Sequence, residues 1–234
     1  MLGRGSLTEL LFPTRCAGCG RYEGRQLCAS CLSSLPLIRG PVCLRCGKPT
    51  LHEVEWCLLC RGRVRHLDST CALAKYEEPL RSIIHKLKYG NGWRLARPLG
   101  FMAAARLAPL LSDGEPMVTF VPMHARKRRA KGYDHAEVLG RAVAAALGLP
   151  FAALLERSRA TSPQASLDHR RRKGNVRGAF RVSRGLEGGG EVVIVDDVMT
   201  TGCTLAECAR MLKRAGAGRV IACVLARDLV HSLS

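Results

Sequence analysis

Acidic residues and aromatic residues are both scarce in this sequence of 234 residues. Asp and Glu total 19 against 37 Lys and Arg, the formal net charge is +18, and aromatic residues make up 5%. Such a charge favours an anionic partner, which could be a phosphorylated substrate, a nucleic acid or an acidic surface. The scarcity of aromatic rings argues against a nucleic-acid module that depends on extensive base stacking.

Long uninterrupted hydrophobic runs are also missing. The longest apolar stretch, Leu99–Leu111, is interrupted by Arg106 and Pro109, so no segment is expected to span a membrane. The first residues include an early Arg but no apolar core of signal-peptide length. We therefore expect a cytoplasmic protein, and a hydrophobic content of 47% is typical of a globular one.

Cysteine, in contrast, is abundant, with 12 residues of which eight form four CxxC pairs. In a cytoplasmic protein this pattern indicates metal binding rather than disulfides. Two CxxC knuckles complete a tetrahedral zinc shell without an open position, so we expect structural Zn²⁺ ions, one in each of two sites. Pairing in sequence order is the simplest arrangement, and interleaved pairing fits the spacing as well. The eight ligands are Cys16, Cys19, Cys28 and Cys31, followed by Cys43, Cys46, Cys57 and Cys60.

The segment Arg61–Leu67 is charged and contains glycine, which marks it as a boundary. It predicts a double zinc-ribbon domain over residues 1–66 and a larger domain over residues 67–234. Apolar residues in the larger domain recur as short buried runs and at helical spacing, which indicates an α/β fold with a parallel sheet flanked by helices. Strands are expected at Cys71–Tyr76, Met117–Val121, from Val192 and at Arg219–Ala226, and helices at Glu78–Tyr89, Leu95–Leu111, Tyr133–Leu147 and Cys203–Ala215.

The stretch Val192–Leu205, VVIVDDVMTTGCTL, combines an apolar strand, two carboxylates, a turn of small residues and the start of a helix. The carboxylates of Asp196 and Asp197 can accept hydrogen bonds from hydroxyls or organise a metal. The turn and the helix N-terminus offer backbone N–H groups and a positive dipole end, which suit a phosphate. A buried βα unit in which the two Asp residues only cap a helix is the simpler alternative.

This stretch resembles the signature of the type I phosphoribosyltransferases, which bind 5-phosphoribosyl-1-pyrophosphate (PRPP). The resemblance implies that Asp196 and Asp197 hold the ribose 2′- and 3′-hydroxyls and that Mg²⁺ accompanies PRPP. It also implies that the following turn wraps the 5′-phosphate. The residues of that turn are Thr200, Thr201, Gly202, Cys203 and Thr204.

Two basic segments could contact the pyrophosphate of such a ligand. A loop after the strand Met117–Val121 would be the pyrophosphate loop by resemblance, with Met123, His124 and Arg126 as candidate ligands. A long polar segment, Thr161–Phe180, would be the flexible loop that closes over the reacting centre, with Arg170, Arg171 and Arg172 as candidates. A solvated basic surface is the alternative for both segments, and it is also our expectation for Lys86 and Lys88.

The motifs occur in an order similar to that of the ComF/GntX family of bacterial proteins, which is linked to natural competence and DNA uptake. The motifs are the cysteine array, Arg81–Gly90, Val121–Ala136, Ser162–Phe180 and the Asp-Asp signature. The resemblance implies a type I phosphoribosyltransferase-like domain behind the ribbons. One departure is Tyr133-Asp134-His135, where family members commonly carry Phe-Asn-Gln.

Two functions from different classes follow from the sequence. The first is a phosphoribosyltransferase-fold protein that binds PRPP with Mg²⁺ and could transfer the phosphoribosyl group to an acceptor that no residue identifies. The second is a non-catalytic protein that handles single-stranded DNA during transformation, together with other competence proteins. The sequence leaves open whether the protein is an enzyme.

Overall fold

The computed structural model describes residues 14–61, 63–89, 92–159, 176–183, 185–186 and 188–229. Its main sheet has four parallel strands in the order β1-β6-β5-β2. Two further strands, β3 and β4, pair antiparallel in a small second sheet. The bounds are β1 Ser69–Lys75, β2 Met117–Phe120, β3 Leu155–Arg157, β4 Phe180–Val182, β5 Glu191–Met199 and β6 Arg219–Arg227.

Six α-helices accompany these strands in the described residues. They are α1 Ala29–Ser33, α2 Leu80–Lys88, α3 Ala96–Leu107, α4 Ala125–Lys131, α5 His135–Leu147 and α6 Cys203–Arg214, with 3-10 turns at Gly92–Leu95 and Ala108–Leu110. The parallel sheet flanked by helices confirms the expected fold class. Two elements differ from expectation, because the predicted basic loop forms helix α4 and the β3–β4 sheet was not predicted. No helix in the described ranges is long and apolar enough to cross a bilayer.

Both faces of the main sheet are covered, which explains why its central strands are almost entirely apolar. One face packs against α2, α3 and α5, and the four apolar residues spaced along α2 are fully buried there. Burying each of these large side chains stabilises the fold by about 1.5–3 kcal/mol. Helices α3 and α5 approach closely at Gly100, where a Cβ would lie 2.6 Å from the Cβ of Ala142. The other face packs against α6.

The cysteine-rich segment packs directly on the main sheet and its helices. Its first half contacts α2, where Lys86 Nζ donates to the Ala17 carbonyl at 2.7 Å. Its second half contacts β1, where the Thr70 amide donates to the Leu44 carbonyl at 2.7 Å. Residues of both halves belong to the same buried clusters as the sheet. The segments that meet at the predicted boundary after residue 66 therefore share a hydrophobic core.

The residues between the two halves, 36–38, run alongside β1. The Ile38 amide donates to the Leu73 carbonyl at 3.1 Å, and the Lys75 amide donates to the Pro36 carbonyl at 2.9 Å. An isolated antiparallel bridge joins Leu37 to Ala74. The cysteine-rich segment thus supplies hydrogen-bond partners to a strand of the main sheet.

The thiols form two tetrads in sequence order, which confirms that pairing over the interleaved one. In each tetrad the four Sγ atoms all lie within 4.8 Å of one another, with Cys16, Cys19, Cys28 and Cys31 in the first and Cys43, Cys46, Cys57 and Cys60 in the second. Sulfur separations of 3.9 Å, 3.5 Å and 3.7 Å occur within them. Tetrahedral zinc with Zn–S bonds of about 2.3 Å places sulfurs about 3.8 Å apart. Both tetrads therefore fit structural zinc.

Purified protein should contain about two zinc ions per chain, and their removal should affect the sheet as well as the ribbons. Structural zinc contributes about 10–16 kcal/mol of folding free energy in small peptides at neutral pH, so the apo segment should unfold. Because residues 36–38 would then leave β1, the amide of Lys75 should exchange with solvent much faster. Hydrogen exchange before and after chelation measures this effect.

The amide of Ile194 in the centre of the sheet is the matched control, and it should keep most of its protection. An apoprotein in which Lys75 exchanges as slowly as in the zinc form would contradict the structural dependence of β1 on the ribbons.

Candidate functional site

The two adjacent carboxylates lie where the parallel strands end, within the last residues of β5. Asp197 is buried with 5% of its surface exposed, and Asp196 is half-buried. The Asp196 Oδ1 atom accepts a hydrogen bond from the Asp197 amide at 2.9 Å. Ligands of open α/β sheets bind at this edge, outside the carboxyl ends of the strands.

Asp197 faces two cationic side chains from different helices. Its Oδ2 atom lies 2.8 Å from Lys88 Nζ at the end of α2 and 3.1 Å from His135 Nε2 at the start of α5. The expectation that Lys88 lies on a solvated face was therefore wrong. No local sequence pattern indicates this pairing, because Lys88 and Asp197 meet only when α2 packs on the sheet.

These contacts set the protonation of the whole cluster. Burial disfavours the Asp197 carboxylate, but the charges of Lys88 and His135 outweigh it and hold the pKa of Asp197 well below its usual range. Burial and the neighbouring charge of Asp197 raise the pKa of Asp196. Burial lowers the affinity of Lys88 and His135 for protons, yet Asp197 outweighs it and raises the pKa of both groups. The cluster is thus held with Asp197 ionised and Lys88 protonated.

The residues Tyr133, Asp134 and His135, where the sequence departs from the family pattern, contact the ends of helices α2 and α5. Tyr133 donates its hydroxyl to the Leu87 carbonyl at 2.5 Å, which satisfies an end carbonyl of α2. Lys131 Nζ donates to the Lys88 carbonyl at 3.0 Å. Asp134 caps α5 by accepting from the Ala136 amide at 3.0 Å. Each of these three residues therefore has a defined partner, and that of His135 is Asp197.

Polar groups of the predicted pyrophosphate loop form hydrogen bonds with other residues of the protein. The Met123 amide donates to Asp134 Oδ2 at 2.8 Å, and His124 caps α4 by accepting from the Arg126 amide at 3.2 Å. Arg126 itself is exposed. The structure thus brings Met123 beside Asp134, whereas the basic residues at positions 126–129 of α4 are exposed.

The predicted phosphate turn is short, and α6 begins within it at Cys203. Gly202 is the N-cap of α6 with φ 80°, a left-handed conformation that favours glycine, and it offers no side-chain cap. The first N–H groups of such a helix point towards the space in front of the turn. Thr201, Gly202 and Cys203 are buried, and Thr200 and Thr204 are half-buried. The burial of Cys203 supports a packing role for its thiol.

The back of this turn is held by residues that the sequence did not single out. A Cβ on Gly202 would lie 2.5 Å from Met199 Cε and 2.8 Å from Val64 Cγ1, so the ribbon's last residues press against the turn. The buried Arg227 donates to the carbonyls of Met199 and Thr200. The position of Arg227 at the end of an apolar strand is the sequence feature that could have indicated its hydrogen bonds to this turn. The candidates Arg170, Arg171 and Arg172 lie outside the described residues.

His135 should titrate with a midpoint above its ordinary value of 6.5. Substituting Asp197→Asn should lower this midpoint, because burial and Lys88 then act without the carboxylate. Stability from the ion pair is complete below the unfolded pKa and is lost as pH rises through the raised folded pKa. The loss of unfolding free energy in His135→Gln, about 1–3 kcal/mol, should therefore be largest in mildly acid solution.

NMR titration of the histidine ring resonances measures the midpoints, with His66 just before β1 as the internal control. Burial and nearby arginines lower the pKa of His66, and Asp197 is not among the causes, so its midpoint should be the same in wild type and Asp197→Asn. An unchanged His135 midpoint in Asp197→Asn would rule out the ion pair.

Comparison with known proteins matches the two halves of the chain separately. Residues 7–61 match the double zinc ribbon domain, and residues 134–231 match the phosphoribosyl transferase domain. A solved structure of the allosteric regulatory enzyme of purine biosynthesis is 26% identical, with a TM-score of 0.40, and covers 57% of this chain. The match spans 26% of that enzyme's chain.

Alignments with similar proteins cover almost the whole chain. The DNA utilization protein YhgH of Salmonella typhi is 31% identical over 208 residues, which cover 87% of this chain and 91% of that protein. Competence protein F of Haemophilus influenzae is 27% identical over 220 residues, which cover 91% and 95%. Together with the paired thiol tetrads and the strand-end carboxylates, these matches show that the chain belongs to the ComF/GntX family, in which a double zinc ribbon precedes a phosphoribosyltransferase domain.

Proposed function

We propose that this protein binds a phosphorylated ribose, with PRPP and Mg²⁺ as its ligand, at the carboxyl end of β5. The observation that carries the proposal is the sequence of groups at this strand end. A half-buried carboxylate, Asp196, lies at the end of β5, and the glycine-capped N-terminus of α6 begins at Gly202 on the same βα connection. The first suits ribose hydroxyls and the second suits a phosphate monoester.

The two carboxylates take different parts in this proposal. Asp197 is already engaged by Lys88 and His135, so its role is to hold the Lys88 ammonium group and the His135 imidazole at the strand end. Asp196 is more accessible, and we assign to it the ribose hydroxyls and the water molecules around Mg²⁺. Magnesium keeps several waters in such sites and neutralises charge on phosphate oxygens. An anionic ligand would thus meet Lys88 and His135 beside a single accessible carboxylate.

Transfer of the phosphoribosyl group is the reaction that bound PRPP would support. An acceptor's nucleophilic atom would bond to ribose C1 while the bond from C1 to the pyrophosphate oxygen breaks, and pyrophosphate would leave with the electron pair. The chain's residues would act by positioning the ribose and by placing positive charge near the leaving group. Lys88 is suited to this role, because its pKa is raised and its ammonium group stays charged.

A second candidate function, binding of single-stranded DNA, is favoured by exposed aromatic rings beside the same site. Tyr89 directly follows Lys88 and is 54% exposed, with Lys131 Nζ 4.2 Å from its ring centroid. Trp93 is 47% exposed, and the Arg94 guanidinium carbon lies 5.4 Å from its ring centroid. Aromatic rings interleaved with cations are typical of surfaces that bind single strands. The scarcity of aromatic residues in the sequence had argued against such a surface.

Helix α4 adds positive charge to this candidate surface. Its residues Arg126, Lys127, Arg128 and Arg129 are exposed, and none of its residues is buried. The names of the relatives, DNA utilization protein and competence protein, also support a role with DNA. In this function the strand-end site would hold a phosphate of the strand.

Calorimetric titration with PRPP and Mg²⁺ tests the lead proposal. Wild type should bind saturably, and Asp196→Asn should weaken binding by about tenfold or more, equivalent to about 1.4 kcal/mol. Asp196→Asn is preferable to Asp197→Asn because it leaves the contacts with Lys88 and His135 in place. Asp113→Asn in an exposed turn is the matched control and should bind as wild type does. Wild-type protein that shows no saturable PRPP binding would overturn the proposal.

Fluorescence titration with a labelled single strand tests the second candidate. Tyr89→Ala and Trp93→Ala should each weaken binding by about 1–3 kcal/mol if bases stack on these rings. Affinity should also fall steeply with added salt. Tyr22→Ala is the control, because Tyr22 is an exposed ring under Arg15 in the first ribbon. Equal losses in all three variants, or in none, would argue against a stacking surface at this site.

A further inference from the structure

The guanidinium group of Arg227 links the second thiol tetrad to the turn that begins α6. Arg227 ends β6 and is 4% exposed. Its Nε atom donates to the carbonyl of Cys46, one of the tetrad residues, at 2.9 Å. Its Nη1 atom donates to the Met199 carbonyl at 2.9 Å and to the Thr200 carbonyl. One buried side chain therefore bridges a zinc knuckle and the proposed phosphate turn.

The backbone around Arg227 reinforces the same connection. The Asp228 amide donates to the Met199 carbonyl at 3.0 Å, and Arg227 lies opposite Met199 in the β5–β6 register. Val64, which follows the last ligand of the second tetrad, packs against Gly202. The turn is thus contacted by both β6 and the ribbon.

The chemistry of arginine suits this bridge better than that of any other residue. Its planar fork presents five donors in fixed directions, so it can satisfy carbonyls from separate segments at one time. A lysine in the same place would keep the positive charge but would offer donors from a single nitrogen. A zinc ion with four thiolates carries two net negative charges, which also favours a buried cation close by.

We propose that Arg227 is a positioning residue that couples the second zinc site to the phosphate turn. Zinc bound by the second tetrad would hold the Cys46 carbonyl in place. This carbonyl orients the guanidinium group of Arg227 through a hydrogen bond, and Arg227 in turn holds the carbonyls of Met199 and Thr200. Loss of the second zinc would then loosen the turn, and a phosphate in the turn would strengthen zinc retention, because such coupling is reciprocal. This inference rests on the proposed binding of a phosphoribosyl ligand at the turn.

The test compares Arg227→Lys with Arg219→Lys. Arg219 begins the same strand at its opposite end, where it donates to the Leu110 carbonyl at 3.0 Å, so the two substitutions are chemically matched. Binding of ribose 5-phosphate, measured by calorimetry, should be about tenfold weaker in Arg227→Lys and close to wild type in Arg219→Lys. Equal affinities in wild type and Arg227→Lys would overturn the inference.

The rate of zinc release to a chromogenic chelator is a second measurement. If Arg227 only stabilised the fold, a phosphate ligand would not change this rate. In wild type, saturating ribose 5-phosphate should slow the release of one of the two zinc equivalents. In Arg227→Lys the ligand should no longer slow it. The wild-type part needs no variant, so it holds even if Arg227→Lys fails to fold. Saturable binding without any effect on zinc release would overturn the coupling.

Hydrogen exchange separates failure of this inference from failure of the proposed function. If wild type binds no phosphoribosyl ligand, the proposed function falls, but the link between ribbon and turn can still be measured. Removal of both zinc ions, or Arg227→Lys, should speed amide exchange in residues 200–204 relative to zinc-loaded Arg219→Lys. Unchanged exchange there in both cases would overturn the link as well.

Discussion

The position of a buried carboxylate, Asp197, next to a half-buried one, Asp196, at the end of a central strand is the constraint on which the rest of the site depends. Two neighbouring negative charges repel each other and lose hydration, so the arrangement persists only where cations compensate for it. Lys88 and His135 provide that compensation for Asp197. Each lies at a helix end, and those ends are fixed in turn by Tyr133 and Asp134. A local electrostatic requirement thus determines how two helices are seated on the sheet.

The zinc ribbons contact the turn before α6, which lies on the other side of the strand-end site from Lys88 and His135. The buried apolar side chains of the ribbon, such as Leu35 and Ile38, belong to clusters that also contain sheet residues, so metal binding supplies folding free energy that packing within the ribbon alone does not. The folded ribbon then contacts α2 through Ala17 and the turn before α6 through Val64, and its Cys46 carbonyl accepts a hydrogen bond from Arg227 of β6. These contacts explain why the ribbons and the phosphoribosyltransferase domain share buried clusters rather than meeting through a flexible joint.

The sequence predicted the features that arise from local patterns. The strand before Asp196, the CxxC tetrads and the amphipathic spacing of α2 each depend on residues that are close along the chain. The partners of Asp197 could not be predicted, because Lys88 and His135 meet it only through the placement of two separate helices. Helix α4 was predictable in principle, since Arg, Lys and Ala are good helix formers and the segment contains no internal glycine or proline. Strands β3 and β4 are too short to give a periodic signal.

The pairing of residues 36–38 with β1 has a consequence for the protein's behaviour in solution. In the described sheet β1 is an outer strand, and an uncovered outer strand presents free N–H and C=O groups to any other chain. The ribbon occupies those groups through Ile38 and Pro36. Zinc bound at the tetrads would therefore keep β1 covered, and zinc-depleted protein is expected to associate with other chains through this exposed strand.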